Sequence, residues 1–341
     1  MDVQKLRAVV VGAGPAGGTL AAFLIHGGHE VVVVDNAKDL APLLRETGLR
    51  VTGAAELTVL VRNAVPSLAA VEGWNPDLII VATKAPVVPV LCPALEKAAG
   101  PSTVLLAYQN GIDTEAPLVA TFGPSRVARA VVRYGANQVE PGHLRMTFWN
   151  RPNFIGGLSP QLHRFCEGVA AAMSQSGLPT EATQDILTRV WEKAIANAMN
   201  SLSAITGLTI GSILDIPVLR QTFVDLLEER ISIAKAHGIA VRDGILQDIV
   251  VFHEKAREHM PSSYSDMQQG LPTEVDWMEG KFVDYARRAG LPAPINHTLL
   301  ALVKGRTAAS EMERAMAATA APSSKPNPRS RARRIPTPAV H

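Results

Sequence analysis

The stretch Arg7–Asp35, RAVVVGAGPAGGTLAAFLIHGGHEVVVVD, decides the fold. An apolar β-branched run, Ala8–Val11, stops at Gly12. Gly12-Ala13-Gly14-Pro15-Ala16-Gly17 follows, and then an apolar helical pattern through Ile25. A second β run, Val31–Val34, ends on Asp35. A glycine triplet alone is weak evidence. Strand, glycines, helix, strand and acid in that order specify the first βαβ unit of a dinucleotide-binding fold. In such a unit Gly12 permits the tight turn, Gly14 lets a pyrophosphate approach the backbone, and Gly17 lets helix and strand pack closely. The helix N-terminus adds free N–H groups and the positive end of its dipole. The bland alternative is a strand-to-helix turn that binds nothing.

Two further apolar runs extend the pattern. DLIIVATK ends at Thr83-Lys84, and STVLLAYQNG ends at Gln109-Asn110. Continuous apolar runs suit parallel strands covered on both faces. Polar residues at their carboxyl ends fall on the ligand-binding edge of a doubly wound sheet. Gly12, Asp35, Lys84 and Asn110 are therefore expected to line one crevice. VARAVVRYGA reads as another strand, VEPGHLRMTF as a hairpin around Pro141-Gly142, and GLPTEAT as a return to the sheet. The expected architecture is an α/β Rossmann-type domain over 1–183, followed by an all-α domain over 184–317.

The second half reads as helices. VLRQTFVDLLEERISIAKAHG is amphipathic, with Gly238 as a C-terminal cap. ILQDIVVFHEKAREH is a second helix, and TEVDWMEGKFVDYARRAG a third. Glu274, taken alone, is a first-turn glutamate favoured by the helix dipole. The helix VWEKAIANAMN, Val190–Asn200, poses a sharper question. Lys193, Asn197 and Asn200 fall within roughly 60° of one another on it. Trp191, Ala194, Ile195, Ala198 and Met199 occupy the other side. That polar edge faces either solvent or a cleft.

Composition narrows the field. The chain has 341 residues, which suits two domains, and a formal net charge of +2, which gives no bulk case for nucleic acid. The basic, Pro-rich run SKPNPRSRARRIPTP reads as part of a disordered tail over 318–341. Two cysteines, Cys92 and Cys166, make neither a disulfide framework nor a four-cysteine zinc site. No signal-peptide pattern and no apolar run near the ~20 residues of a membrane span are present, so a soluble, cytoplasmic protein is expected. The histidines (His26, His29, His237, His253, His259 and His297 among them) lack metal-ligand spacing, so no metal is expected.

With these pieces in order, the chain resembles the ketopantoate reductase (2-dehydropantoate 2-reductase) family from about Leu6 to Ala308. GAGPAGG, the ATK and QNG strand ends, WEKAIANAMNSLSAITG and PSSYSDMQQGLPTEVDWMEG carry the resemblance, the last two most specifically. It implies a Rossmann domain followed by a helical domain, with the active site in the cleft between them. It also implies roles. Lys193 matches the general acid, Asn197 a substrate-binding amide, Glu274 a carboxylate near the reacting groups, and Ser262 a hydroxyl on the substrate carboxylate. Lys84 and Asn110 match cofactor- and substrate-contacting residues, and Ala136 a backbone position beside the cofactor. Lysine is apt for a reduction, because burial can bring its pKa from about 10.4 toward neutrality.

The chain also departs from the family pattern. The second family asparagine falls at Ser201, with Asn200 one residue earlier, and a further asparagine expected near Ile210 is missing. Asn36 stands where many members carry an arginine for the 2′-phosphate of NADP. Asp35 suits a ribose diol and repels a phosphate, with Lys38 near enough in sequence to compensate. The resemblance therefore implies NADP(H), and Asp35 keeps NAD(H) open. The leading expectation is reduction of 2-dehydropantoate to pantoate in pantothenate biosynthesis. The alternatives are a D-2-hydroxyacid dehydrogenase acting on another branched 2-keto acid, and a dinucleotide-sensing protein without turnover. A small-molecule 2-keto acid is the expected partner, with no nucleic acid or membrane, and a homodimer is left open.

Overall fold

The computed structural model describes residues 5–269 and 273–320. The opening stretch forms β1 (Arg7–Val11), α1 (Pro15–His26) and β2 (Glu30–Val34). Next come α2 (Leu40–Thr47), β3 (Leu49–Gly53), β4 (Leu57–Val59), β5 (Ala64–Val65), β6 (Leu78–Val81), α3 (Val88–Ala98), β7 (Val104–Ala107) and α4 (Ala116–Phe122). The α/β part closes with β8 (Val127–Val131), β9 (Tyr134–Glu140), β10 (His143–Trp149), β11 (Asn153–Gly157), α5 (His163–Gln175) and β12 (Thr180–Ala182).

Eight strands form the main sheet in the order β12-β11-β8-β7-β6-β1-β2-β5. It is parallel from β8 to β5, and β11 runs antiparallel to β8. β6, β7 and β8 are buried at every residue, which is why their sequences are near-continuous in apolar side chains. Chain order reverses between β1 and β6, and this switch point places a crevice at their carboxyl ends. The hairpin expected at Pro141-Gly142 is β9–β10, and it belongs to a second sheet, β4-β3-β10-β9. α1 packs between the two sheets through Leu20, Phe23 and Leu24.

VARAVVRYGA is not one strand. β8 ends at Val131 and β9 begins at Tyr134, so Val132-Arg133 carries the chain from one sheet to the other. The break is built in. The Arg133 N–H donates to Asn153 Oδ1 at 2.8 Å, and its carbonyl accepts the Asn150 N–H at 2.8 Å. Arg133 therefore sits at a strand end rather than within a ladder.

The helical part comprises α6 (Ile186–Ala196), α7 (Met199–Thr206), α8 (Ile210–Asp215), α9 (Pro217–Ala236), α10 (Ile245–Lys255), α11 (Ser262–Gln269), α12 (Glu279–Arg288) and α13 (Pro294–Ala320). Three boundaries differ from the sequence reading. Val190–Asn200 is two helices, because the Ala198 N–H bonds to Ile195 instead of Ala194 and the Asn200 N–H bonds to Asn197. The helix after Glu274 begins with a single 3-10 turn, Val275–Trp277, and breaks at Met278 before α12. α13 runs to Ala320, past the expected start of the tail at 318, as its alanine-rich end favours. The rest of that tail, 321–341, lies outside the described residues.

Candidate active site

The crevice at the switch point is built for close backbone approach. Gly12 has φ +100°, and its peptide lies against Ala82 and Thr83 at the end of β6. A Cβ on Gly17 would stand 2.1 Å from the Gly12 carbonyl oxygen, so only glycine fits there. α1 begins at Pro15 with no acidic side chain in its first turn, and space beside Gly14 is open. Ala13 and Ala16 complete the loop, and the Ala16 carbonyl accepts the Tyr134 hydroxyl at 2.9 Å. Asp35 closes the far side. Its Oδ2 accepts the Ala13 N–H at 2.7 Å and its Oδ1 the Ala37 N–H at 2.9 Å. Asn36 and Lys38 are exposed, and among the described residues no ion pair joins Lys38 to Asp35. The Thr83 hydroxyl is buried at this edge without a partner among the described residues. An unsatisfied hydroxyl beside an anion-receptive helix end fits a bound dinucleotide.

Lys84 and Asn110 stand at the ends of β6 and β7, as the sheet topology requires. The Lys84 ammonium meets Asp266 of α11 at 2.6 Å, which ties the two halves of the chain together. Glu274 lies at the same junction and accepts the Ala85 N–H at 3.3 Å. Burial pulls the Lys84 pKa down, but Glu274 and Asp266 outweigh it and hold the ammonium charged. Burial pushes the Glu274 carboxyl up, with Lys84 opposing. The loop carrying Asn110 is clamped from below. The buried Arg129 donates to the carbonyls of Ala107 and Gly111 at 3.0 Å each and pairs with Glu115 at 3.2 Å. From above, the Trp277 carbonyl accepts the Ile112 N–H at 2.8 Å.

Lys193 lies on α6. That helix starts where Asp185 accepts the Thr188 N–H and is seated by Trp191 against Phe282 and Tyr285. Lys193, Asn197 and Asn200 are all half-buried, whereas Trp191, Ala194, Ile195, Ala198 and Met199 are buried. Lys193 lines a cavity of about 370 Å³ with Val131, Arg133, Phe148, Ile249 and Phe252. Among the described residues no carboxylate pairs with it. Burial, and then the charge of Arg133, bring its pKa down to about 8. His253 and His259 feel the same burial and the same lysine, and both fall to about 4. At neutral pH they are neutral neighbours.

Two family models cover the chain: ketopantoate reductase PanE/ApbA matches residues 8–158, and its C-terminal counterpart matches 185–307. The chain belongs to the ketopantoate reductase PanE/ApbA family. It is thereby an NAD(P)-dependent reductase. The 2-dehydropantoate 2-reductase of Pyrococcus horikoshii is 29% identical over 306 residues, spanning 88% of this chain and 97% of that one. A PanE/ApbA family ketopantoate reductase structure from Ralstonia eutropha superposes with a TM-score of 0.80 at 27% identity, covering 89% and 99% of the two chains. A D-mandelate dehydrogenase solved with NADH and anilino(oxo)acetate shares the fold, with a TM-score of 0.80, 21% identity, and 89% and 98% coverage.

Within this ketopantoate reductase fold, the residues singled out from sequence form two groups. Gly12–Gly17 and Asp35 frame the crevice at the switch point, and Lys84 meets Glu274 at the junction with α11. Lys193 lines a cavity with Arg133, and among the described residues no hydrogen bond or ion pair joins Lys193 to Glu274. Ala136 is half-buried on β9. Asn200 is half-buried and Ser201 is buried. Ile210, where a family asparagine was expected, is in the helical core. The Ser262 side chain lies outside the described residues. Sequence reading missed Arg133, Arg129 and Asp266. Arg133 had a signal, since it ends a β-branched run as Lys84 does.

Proposed function

We propose that this chain reduces a 2-keto acid, with Lys193 as general acid. The observation that carries the reading is a cavity-lining lysine with a pKa near 8 and, among the described residues, no acid paired with it. The loop Gly12–Gly17, the N-terminus of α1, Asp35, Asn36, Lys84, Asn110 and Ala136 would hold the dinucleotide. When bound, the reduced nicotinamide supplies hydride to the keto carbon. Lys193 then gives its proton to the carbonyl oxygen and stabilises the developing negative charge. Asn197 and Asn200 orient the substrate through neutral amides, and Glu274 keeps Lys84 charged at the neighbouring strand end.

The substrate of the named relatives, 2-dehydropantoate, is the first candidate, and it would place the enzyme in pantothenate biosynthesis. A second reading, a D-2-hydroxyacid dehydrogenase for another 2-keto acid, is favoured by the aromatic wall of Phe148, Phe154 and Phe252 and by Ile210. Free, buried Cys92 and Cys166 support a reducing, cytoplasmic setting. Steady-state assays of a 2-keto acid panel with NADH and NADPH test the reading. No turnover of any member would overturn it.

Two results are expected from the same assay. Reduction needs the protonated lysine, so kcat/KM is level below about pH 8 and falls as pH rises above it. Oxidation of the 2-hydroxy acid needs the neutral amine and rises through the same pH. A reduction profile flat to pH 10 would show that Lys193 carries no essential proton.

Asp35 governs the second result. Its carboxylate is fixed at the end of β2 by the Ala13 and Ala37 N–H groups, and from there it would accept from a ribose diol and repel a 2′-phosphate. NADH is expected to serve better than in members with an arginine at this strand end. Asp35→Ala moves the ratio of kcat/KM toward NADPH. An unchanged ratio would mean that the carboxylate faces away from the ribose.

A further inference from the structure

Three arginines and a lysine line the cavity at Lys193, against two carboxylates. Arg189 meets Glu192 at 3.0 Å. Arg242 meets Glu192 at 3.7 Å and also pairs with Asp248. Both acids are thus taken. Arg133 is the arginine left over beside Lys193, for among the described residues no carboxylate pairs with its guanidinium, which lies 5.6 Å from the Phe154 ring centre. A half-desolvated charge with no ion-pair partner of its own is costly, so its presence in a cavity wall needs a reason.

We infer that Arg133 anchors the substrate carboxylate. Its guanidinium takes the carboxylate of a 2-keto acid whose carbonyl lies at Lys193 and whose bulky apolar side chain lies along Phe148, Ile249 and Phe252. This rests on the reductase reading. The carboxylate of a 2-keto acid is one bond from the reacting carbon, so its anchor must share a cavity with the proton donor, as Arg133 does. The charge of Arg133 reaches Lys193, which places the two in one electrostatic neighbourhood. A planar guanidinium offers paired donors to a carboxylate, and the turn between β8 and β9 fixes its backbone through Asn153 and Asn150. Phe148 and Phe252, edge to face at 6.1 Å, supply the apolar wall.

The test measures binding of phenylglyoxylate and of its neutral amide to the full-length protein with oxidised dinucleotide bound. Tryptophan fluorescence gives the readout, and cofactor affinity and Tm are followed in parallel. Arg133→Gln should weaken phenylglyoxylate by about 10- to 100-fold, leave the amide unchanged, and leave cofactor affinity intact. Arg133→Lys should recover part of the loss. The inference is overturned if wild type binds acid no better than amide, if Arg133→Gln weakens both alike, or if neither is affected. Turnover separates the two readings. Reduction with a KM indifferent to Arg133→Gln sinks the anchor and keeps the reductase. Arg133-dependent binding of the acid, without turnover of any keto acid, does the reverse.

Discussion

Lys193→Ala is expected to lower kcat for keto-acid reduction by about 10²–10⁴-fold, the usual cost of losing a positioned acid. Cofactor affinity should survive, because Lys193 lies on α6 and outside the glycine crevice between β1 and β6. The stability of the variant is equally informative. The wild-type ammonium is buried, has no acid partner among the described residues and is pushed by Arg133, so its removal relieves an unfavourable charge. Tm should therefore hold or rise while turnover collapses. Lys193→Met, which keeps the apolar stem, separates loss of the proton donor from loss of packing. Turnover near the wild-type rate in both variants would remove Lys193 from the chemistry.

The largest stability effect is expected one turn away. The break between α6 and α7 diverts the Ala198 N–H to Ile195 and leaves the Ala194 carbonyl without its usual partner. Arg230, fully buried on α9, fills the gap and donates to that carbonyl at 2.8 Å. The same guanidinium donates to Glu279 at 2.6 Å and to Asn296 at 3.0 Å, and Asn296 in turn donates to Glu229 at 2.7 Å. Arg230→Met strands the buried Glu279 carboxylate and should cost about 3–5 kcal/mol in urea unfolding. Replacing both partners, Arg230→Met with Glu279→Leu, should cost less than the single change, because no unpaired charge remains. A single variant within about 1 kcal/mol of wild type would show that the network adds little.

Much of this was legible in the chain. Gly12 and Gly17 could be read because a positive φ and a contact too close for Cβ leave no other residue. The helix of Lys193 could be read because its buried and half-buried positions follow the helical period. What escaped was long-range. Lys84 and Asp266 are 182 positions apart, and nothing local marks them as partners. Arg133 escaped because VARAVVRYGA has the composition of one strand, and only the side chain of Asn153 and the backbone of Asn150 make it two. The break in Val190–Asn200 escaped because its residues are all acceptable in a helix.

Asp35 has a second role, independent of the one proposed for it toward a ribose. By holding the N–H groups of Ala13 and Ala37 it sets the shape of the Gly12–Gly17 loop and of the turn after β2 within the folded chain itself. The entropy of ordering that loop is then lost once, on folding, and not again at each encounter. A chain lacking the carboxylate must order the loop while it binds. Asp35→Ala should consequently weaken both dinucleotides by a common factor and bring a more negative binding entropy, with the change in preference riding on top. Calorimetry reads the first part, where rates alone would report only the second.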